Sequence, residues 1–221
     1  MPLGAITEGI EQRLMLDLMS DLAGRRVLDA GCGDGVLICA AASRGAAAMG
    51  IDPDPAMLAA ARSRVGDAAC SATFVEGRVE QLPFRDASFD LVAAITVLCF
   101  VPDAAGAVRE MARVLRPGGR LVLGELGRWS WWAAIRRVRS WFGSSTWAAA
   151  RFRTAAELKS VVGRAGLSVT AVRGGVYYPP VGMLARALLP LDSALGRLTT
   201  FCAAFIAVGA ERVDGHSGKH S

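Results

Sequence analysis

The chain has two histidines, His216 and His220, and both sit in the terminal run Gly215-His216-Ser217-Gly218-Lys219-His220-Ser221, whose composition is that of a solvated terminus. The folded body therefore has none. This excludes Ser-His nucleophilic triads, histidine metal sites and histidine general bases, and it favours chemistry that needs little proton transfer. The five cysteines, at 32, 39, 70, 99 and 202, are odd in number and form no Cys-x-x-Cys pair, which fits neither a disulfide framework nor a zinc cluster, so no metal is expected. The longest uncharged stretches, Leu91 to Pro102 and Leu198 to Ala210, are 12 and 13 residues. A spanning helix needs about 20. The first residues, with Pro2, Glu8 and Glu11 ahead of Arg13, lack the basic start and apolar stretch of a secretory signal, so the expected compartment is the cytoplasm.

The 221 residues are 52% hydrophobic and 20% charged, enough for one sizeable core. A single domain over 1–210 with a polar flexible tail over 211–221 is the expected organisation. From Arg25 onward short β-rich runs alternate with helical patterns, which predicts an α/β fold with a mostly parallel sheet. Strands are expected at Arg26 to Asp29, Ala46 to Ile51, Ala72 to Glu76, Phe89 to Ile95, Arg120 to Glu125, Leu167 to Gly174 and Thr199 to Gly209. Asp54 followed by Pro55 predicts one helix start, and the capping box Thr154-Ala155-Ala156-Glu157 another, ended by Gly166. Ile10, Leu14, Leu18 and Leu22 recur every four residues and predict an amphipathic helix on the domain or over its mouth.

Val27-Leu28-Asp29-Ala30-Gly31-Cys32-Gly33-Asp34-Gly35 runs from a strand into a helix starting near Val36. Glycines there let the backbone approach a ligand closely, and free N–H groups at a helix start attract an anionic group. The nicotinamide fingerprint Gly-x-Gly-x-x-Gly needs a third glycine at 36, where Val36 stands. Asp52 follows Gly33 by 19 residues at a strand end, where its carboxylate can accept from both hydroxyls of an adenosine ribose. Before Pro53, the same residue also reads as a turn former or helix cap.

These segments, with Gln81-Leu82-Pro83-Phe84-Arg85-Asp86-Ala87-Ser88-Phe89-Asp90 and Val114-Leu115-Arg116-Pro117-Gly118-Gly119-Arg120-Leu121, resemble class I S-adenosylmethionine-dependent methyltransferases. The nearest branch modifies small molecules, quinones and lipids. The resemblance covers Val27 to Glu125 and implies a Rossmann-like seven-stranded sheet flanked by helices. It places Asp29, Gly31, Cys32 and Gly33 at the methionine end of S-adenosylmethionine and Asp52 with Pro53 at the ribose. Met57 is implied near the adenine with Gly77, Arg78 and Val79, and Ile95 and Thr96 beside the sulfonium. Arg78 stands where relatives often carry an aspartate for the adenine amino group, and Cys99-Phe100 where they often carry histidines.

In-line displacement on a sulfonium mainly requires an aligned acceptor, and positioning of that kind lowers a barrier by about 7 to 11 kcal/mol. A carbon acid, thiol, amine or ionised phenol needs no base. An unactivated hydroxyl does, and Glu125, Tyr177 and Tyr178 are the candidates, each of which also reads as structural.

All five tryptophans, at 129, 131, 132, 141 and 147, follow the fifth strand, and Leu126 to Ala156 holds six arginines and no acid. That segment carries +6 against +5 for the whole chain, leaving −1 for the remainder. The segment admits three readings. It is an ordinary covering helix with solvated arginines; a helical lid over about 126–153 that forms an apolar acceptor pocket with a second insertion over about 176–197, including an apolar helix Gly182 to Leu189; or a peripheral membrane contact through 128–153. Ala93-Ala94-Ile95-Thr96 lacks the Pro-Pro-aromatic element of relatives that act on adenine amino groups, so nucleic acid is not the expected partner. The cysteines read as small core residues rather than reactive thiols.

The resulting expectation is methyl transfer to a small, lipophilic acceptor, with S-adenosylhomocysteine as product. The competing class is a non-catalytic module of the same fold that binds a membrane surface or a protein.

Overall fold

The computed structural model describes residues 3–68, 70–141, 150–179, 192 and 194–213. Trp147, the helix expected over 182–189 and both histidines lie outside the described residues. Seven strands form one sheet: β1 (Arg26–Ala30), β2 (Ala47–Asp52), β3 (Ala72–Glu76), β4 (Phe89–Ile95), β5 (Leu115–Leu126), β6 (Leu167–Gly175) and β7 (Phe205–Arg212). Their order is β3-β2-β1-β4-β5-β7-β6. All neighbours run parallel except β7, which is antiparallel to both β5 and β6. The order reverses between β1 and β4, and the crevice at the carboxyl ends of those strands is where open α/β sheets hold ligands.

Both faces are covered, so the central strands are apolar on both sides. Val27, Leu91 and Ala93 pack on the side of α1 (Leu3–Met19) and α2 (Val36–Ala42), while Leu28, Val92 and Ala94 pack with α4 (Ala104–Val114) and α6 (Ala155–Arg164). α3 (Pro55–Asp67) starts as its residues dictate, with the Asp54 side chain accepting from the Ala56 amide at 2.8 Å and Pro55 at the first position. The capping box at Thr154 and Glu157 is formed, and Gly166 follows the end of α6 at φ +78°.

The larger departures from the expected boundaries are in the first helix, β5 and β7. The first helix starts at Leu3 and ends at Met19, so Leu22 lies beyond it, buried in the core; its contact face adds Met15 and Met19 to Ile10, Leu14 and Leu18. β5 begins at Leu115, passes through an irregular stretch in which Gly118 has φ +69°, and resumes regular pairing with β4 at Arg120. β7 begins at Phe205 rather than Thr199, because Thr200 to Ala204 form a turn in which Cys202 has φ +61°. It also extends to Arg212, whose guanidinium donates to the carbonyls of Ala112 and Arg113, so Glu211 and Arg212 belong to the sheet and not to a tail.

Candidate active site

A cavity of 560 Å³ opens at the β1/β4 reversal, lined by the loop after β1, by Ile95 at the end of β4, and by the first half of α1. The loop is folded by its own polar groups. The amides of Gly31 and Cys32 donate to the Ile51 carbonyl at 2.7 and 2.9 Å, that of Gly33 to Asp52 Oδ2 at 2.9 Å, and that of Gly35 to the Cys32 carbonyl at 2.9 Å. These four amides, all ahead of α2, are therefore satisfied within the protein. What the glycines provide is backbone geometry: Gly31 and Gly33 have φ of +81° and +51°, and a Cβ on Gly33 would meet no protein atom within 4 Å. The cavity side of Gly33 is open to a ligand.

Asp52 takes up the turn-forming role expected of it. One oxygen takes the Gly33 amide and the other takes the Asp54 amide at 2.9 Å, shaping the turn into α3. A carboxylate has about four acceptor sites, so two remain for hydroxyl donors.

The cavity is acidic. Glu8, Glu11, Asp29 and Asp34 line it, and the one basic lining residue among those described, Arg64, is ion-paired with Asp34. Asp29 is pushed up to about 7, chiefly by burial and then by the Asp52 charge, against a backbone hydrogen bond from Ile38. Glu11 is also raised to about 7, by burial, with the field of Arg136 opposing and that of Glu8 adding. Charge of this sign suits a ligand that brings positive charge, as a sulfonium and an ammonium do. Cys32 is pushed up to about 12 by burial and the neighbouring aspartates, which makes it an inert wall. Among the described residues no group of three histidine, cysteine, aspartate or glutamate side chains is arranged to hold a metal.

Of the residues the sequence pointed to, Asp29, Gly31, Cys32, Gly33 and Ile95 line this cavity together. Asp52 joins through Gly33. Gly77 donates to the Asp52 carbonyl at 3.1 Å, and a Cβ there would press on Ile51 Cδ1 at 2.8 Å. Pro53 and Met57 are exposed beside Asp52 at the start of α3, Arg78 is exposed and ion-paired with Glu80, and Val79 is buried in the core. Thr96 turns the chain after β4 at φ +56°, unusual for a β-branched residue, with its amide on the Gly124 carbonyl at 2.7 Å.

The three candidate bases are all engaged away from the cavity lining. Glu125, 1% exposed, accepts from the amides of Val97 and Leu98 at 3.1 and 2.7 Å and so props the turn after β4; burial raises it to about 7. The Tyr178 hydroxyl pairs with Thr7 of α1 at 3.2 Å, fully buried. The Tyr177 hydroxyl donates to the Thr199 carbonyl. Asp192, which the sequence reading missed, accepts from the amides of Val176 and Tyr177 at 3.1 and 2.8 Å. Its only sequence signal is a lone acid within an apolar stretch.

The tryptophan and arginine segment leaves and rejoins the domain at one place. Arg153 bridges to Gly127, accepting from the Arg128 amide at 3.0 Å and donating to the Leu126 carbonyl at 3.1 Å. Arg153 also donates to the Leu98 carbonyl at 2.8 Å, and Arg128 pairs with Glu157 at 2.9 Å, so these arginines are structural rather than solvated. From α5 (Trp131–Trp141), the Trp132 indole donates to the Tyr178 carbonyl at 2.9 Å and Arg136 lies 5.7 Å from the centroid of the Trp132 ring. Trp129 and Trp131 are 60% and 62% exposed, and Leu198 and Phe201 83% and 72%. Cys39 and Cys99 are buried, but Cys202 is exposed, correcting its expected core position, and the Cys39 and Cys70 sulfurs touch at 2.8 Å.

A model of the methyltransferase domain matches residues 28–123. The chain is 32% identical over 163 residues to a ubiquinone biosynthesis O-methyltransferase of Azorhizobium caulinodans, covering 72% of this chain and 64% of the relative. It is 34% identical over 174 residues to the protein of that name from Idiomarina loihiensis, covering 74% and 70%. It spans only 49% of a further such relative, from Pseudomonas aeruginosa. A solved S-adenosylmethionine-dependent methyltransferase of Thermotoga maritima superposes with a TM-score of 0.73 at 22% identity, covering 95% of this chain and 91% of its own. That likeness extends the shared fold across nearly the whole chain. With the relatives' identity and the matched domain, it follows that this chain belongs to the class I S-adenosylmethionine-dependent methyltransferases.

Proposed function

We propose that the chain transfers a methyl group from S-adenosylmethionine to a hydroxyl of a small, lipophilic acceptor. The observation that carries this is the acidic cavity at the β1/β4 reversal, with Gly33 clamped to Asp52 at its edge. In this reading Asp29, Gly31, Cys32 and Gly33 face the methionine end, and Asp52 with Pro53 holds the ribose. Met57, Gly77 and Arg78 flank the adenine, Val79 supports that wall from the core, and Ile95 and Thr96 border the sulfonium. When bound, the cofactor supplies an already activated methyl, so the protein's work is alignment and exclusion of water, worth about 7 to 11 kcal/mol in favourable cases. Glu125 contributes at one remove, by fixing the turn that carries Thr96 and Val97.

The relatives' names support the acceptor class, as does the apolar surface of Trp129, Trp131, Leu198 and Phe201. In this reading the segment over about 126–153, of which 142–149 lie outside the described residues, is the lid under which an apolar acceptor enters, and it can rest on a membrane surface while doing so. No described helix is long and apolar enough to cross one.

The experiment is incubation with methyl-labelled cofactor and an extract of the source cells, followed by partition between organic solvent and water. Label in the organic phase with wild type and not with Asp52→Ala supports the proposal. Label confined to water contradicts the lipophilic acceptor, and cofactor binding with vesicle binding but no label supports a non-catalytic module.

A further inference from the structure

Moving a methyl onto a neutral hydroxyl releases a proton. The oxygen–carbon bond forms as the sulfur–carbon bond breaks, its electron pair stays on sulfur, and the O–H proton needs a receiver at the cavity. The three residues suggested by sequence are unsuited. Glu125 lies outside the cavity lining, with Oε1 on two amides and Oε2 buried without a partner, and both tyrosine hydroxyls are bonded elsewhere. Cys32 and Cys99 are held protonated by burial. Asp34 is committed to Arg64, and Asp29 sits at the end of β1 beneath the glycine loop.

Two lining carboxylates remain, Glu8 and Glu11, both on α1. Glu8 is exposed at the rim, whereas Glu11, almost one turn deeper, is half-buried. Glu11 also lies where the lid segment meets the domain. One turn before it, Thr7 holds Tyr178; Tyr178 in turn receives the Trp132 indole; and Arg136, stacked on Trp132, projects its charge onto Glu11. The residue therefore stands between the glycine loop, which takes the methionine end, and the wall formed by α5 and Tyr178.

We propose that Glu11 is the catalytic base that receives the acceptor's hydroxyl proton, an inference that rests on the hydroxyl-methylation reading above. The charge of Arg136 favours the ionised carboxylate, and Glu8 opposes it from the rim. The charged and titratable neighbours that face it are Arg136 from α5, Glu8 from its own helix and Tyr178 after β6, with Asp29 on the cavity floor. Its rise to about 7 matches what a base working near neutrality requires.

The test compares two probes of equal alkyl chain, an alkyl catechol, whose hydroxyl must lose a proton, and an alkyl thiophenol, which is largely ionised at neutral pH. With Glu11→Gln, transfer to the catechol should fall about 100-fold or more, while transfer to the thiophenol stays within about threefold. The rising limb of the catechol pH profile near 7 should disappear, and Glu11→Asp should keep part of the activity. Equal loss on both probes or an unaltered pH profile would overturn the role of Glu11 alone. Wild type inert toward both probes while binding the cofactor would overturn the methyl-transfer reading itself, and this inference with it.

Discussion

The Gly33 amide donates to Asp52 Oδ2 at 2.9 Å and thereby joins the loop after β1 to the end of β2. Because this loop is held from within, glycine substitutions should separate folding from binding. Gly33→Ala places a methyl in open space at φ +51°, so it should cost the fold only about 1 to 2 kcal/mol while weakening cofactor binding. Gly31→Ala adds a clash of its Cβ with Val97 Cγ2 and should cost about 1 to 3 kcal/mol more. Denaturant titration and calorimetry of the two variants distinguish these effects.

Stability should fall between acid and alkaline pH. Asp29 and Glu125 are raised from 3.8 and 4.5 to about 7, so each is protonated in the folded state and ionised in the unfolded state between those limits. Their contribution is full below the unfolded value and lost as pH rises through about 7. The unfolding free energy should thus be higher at a pH near 5.5 than near 8, and Glu125→Gln should flatten the slope. A wild-type slope of the opposite sign would contradict this electrostatic account.

Tyr177→Phe and Tyr178→Phe should each retain methyl transfer within about threefold. Tyr178→Phe loses the buried pair with Thr7 at 3.2 Å and should lower stability by about 0.5 to 1.5 kcal/mol. A loss of about 100-fold in turnover in either would restore a tyrosine as the base.

The exposed aromatic side chains give a surface test. Trp129→Ser with Phe201→Ser removes side chains that are 60% and 72% exposed, so the fold should change by only about 0.5 kcal/mol. Co-sedimentation with vesicles containing anionic lipid should decrease, and transfer to a water-soluble probe should not. Undiminished sedimentation would place the lipid contact elsewhere.

The parallel core was legible because β1, β2 and β4 are short apolar runs punctuated by glycine, proline and aspartate, and local chemistry alone decides them. The glycine loop and Asp52 were legible for the same reason. The start of β7 has no local marker, because Thr199 to Ala204 is as uncharged as the strand that follows, and the tertiary pairing of Phe205 with Leu126 and Gly175 decides where it begins. α1 was read from its apolar stripe, so its polar first half, which lines the cavity, carried no signal. Glu11 and Asp192 acquire their surroundings from residues far away in sequence, Arg136 and Tyr177 among them, and no local pattern announces such meetings.

The most direct test is calorimetric titration of S-adenosylmethionine and S-adenosylhomocysteine onto wild type and Asp52→Ala. Hydrogen bonds to a charged group are worth about 1.5 to 3 kcal/mol each, so the account predicts saturable binding by wild type that weakens roughly 10- to 100-fold in the variant. Wild type that binds neither ligand, or a variant that binds both as tightly, would contradict it.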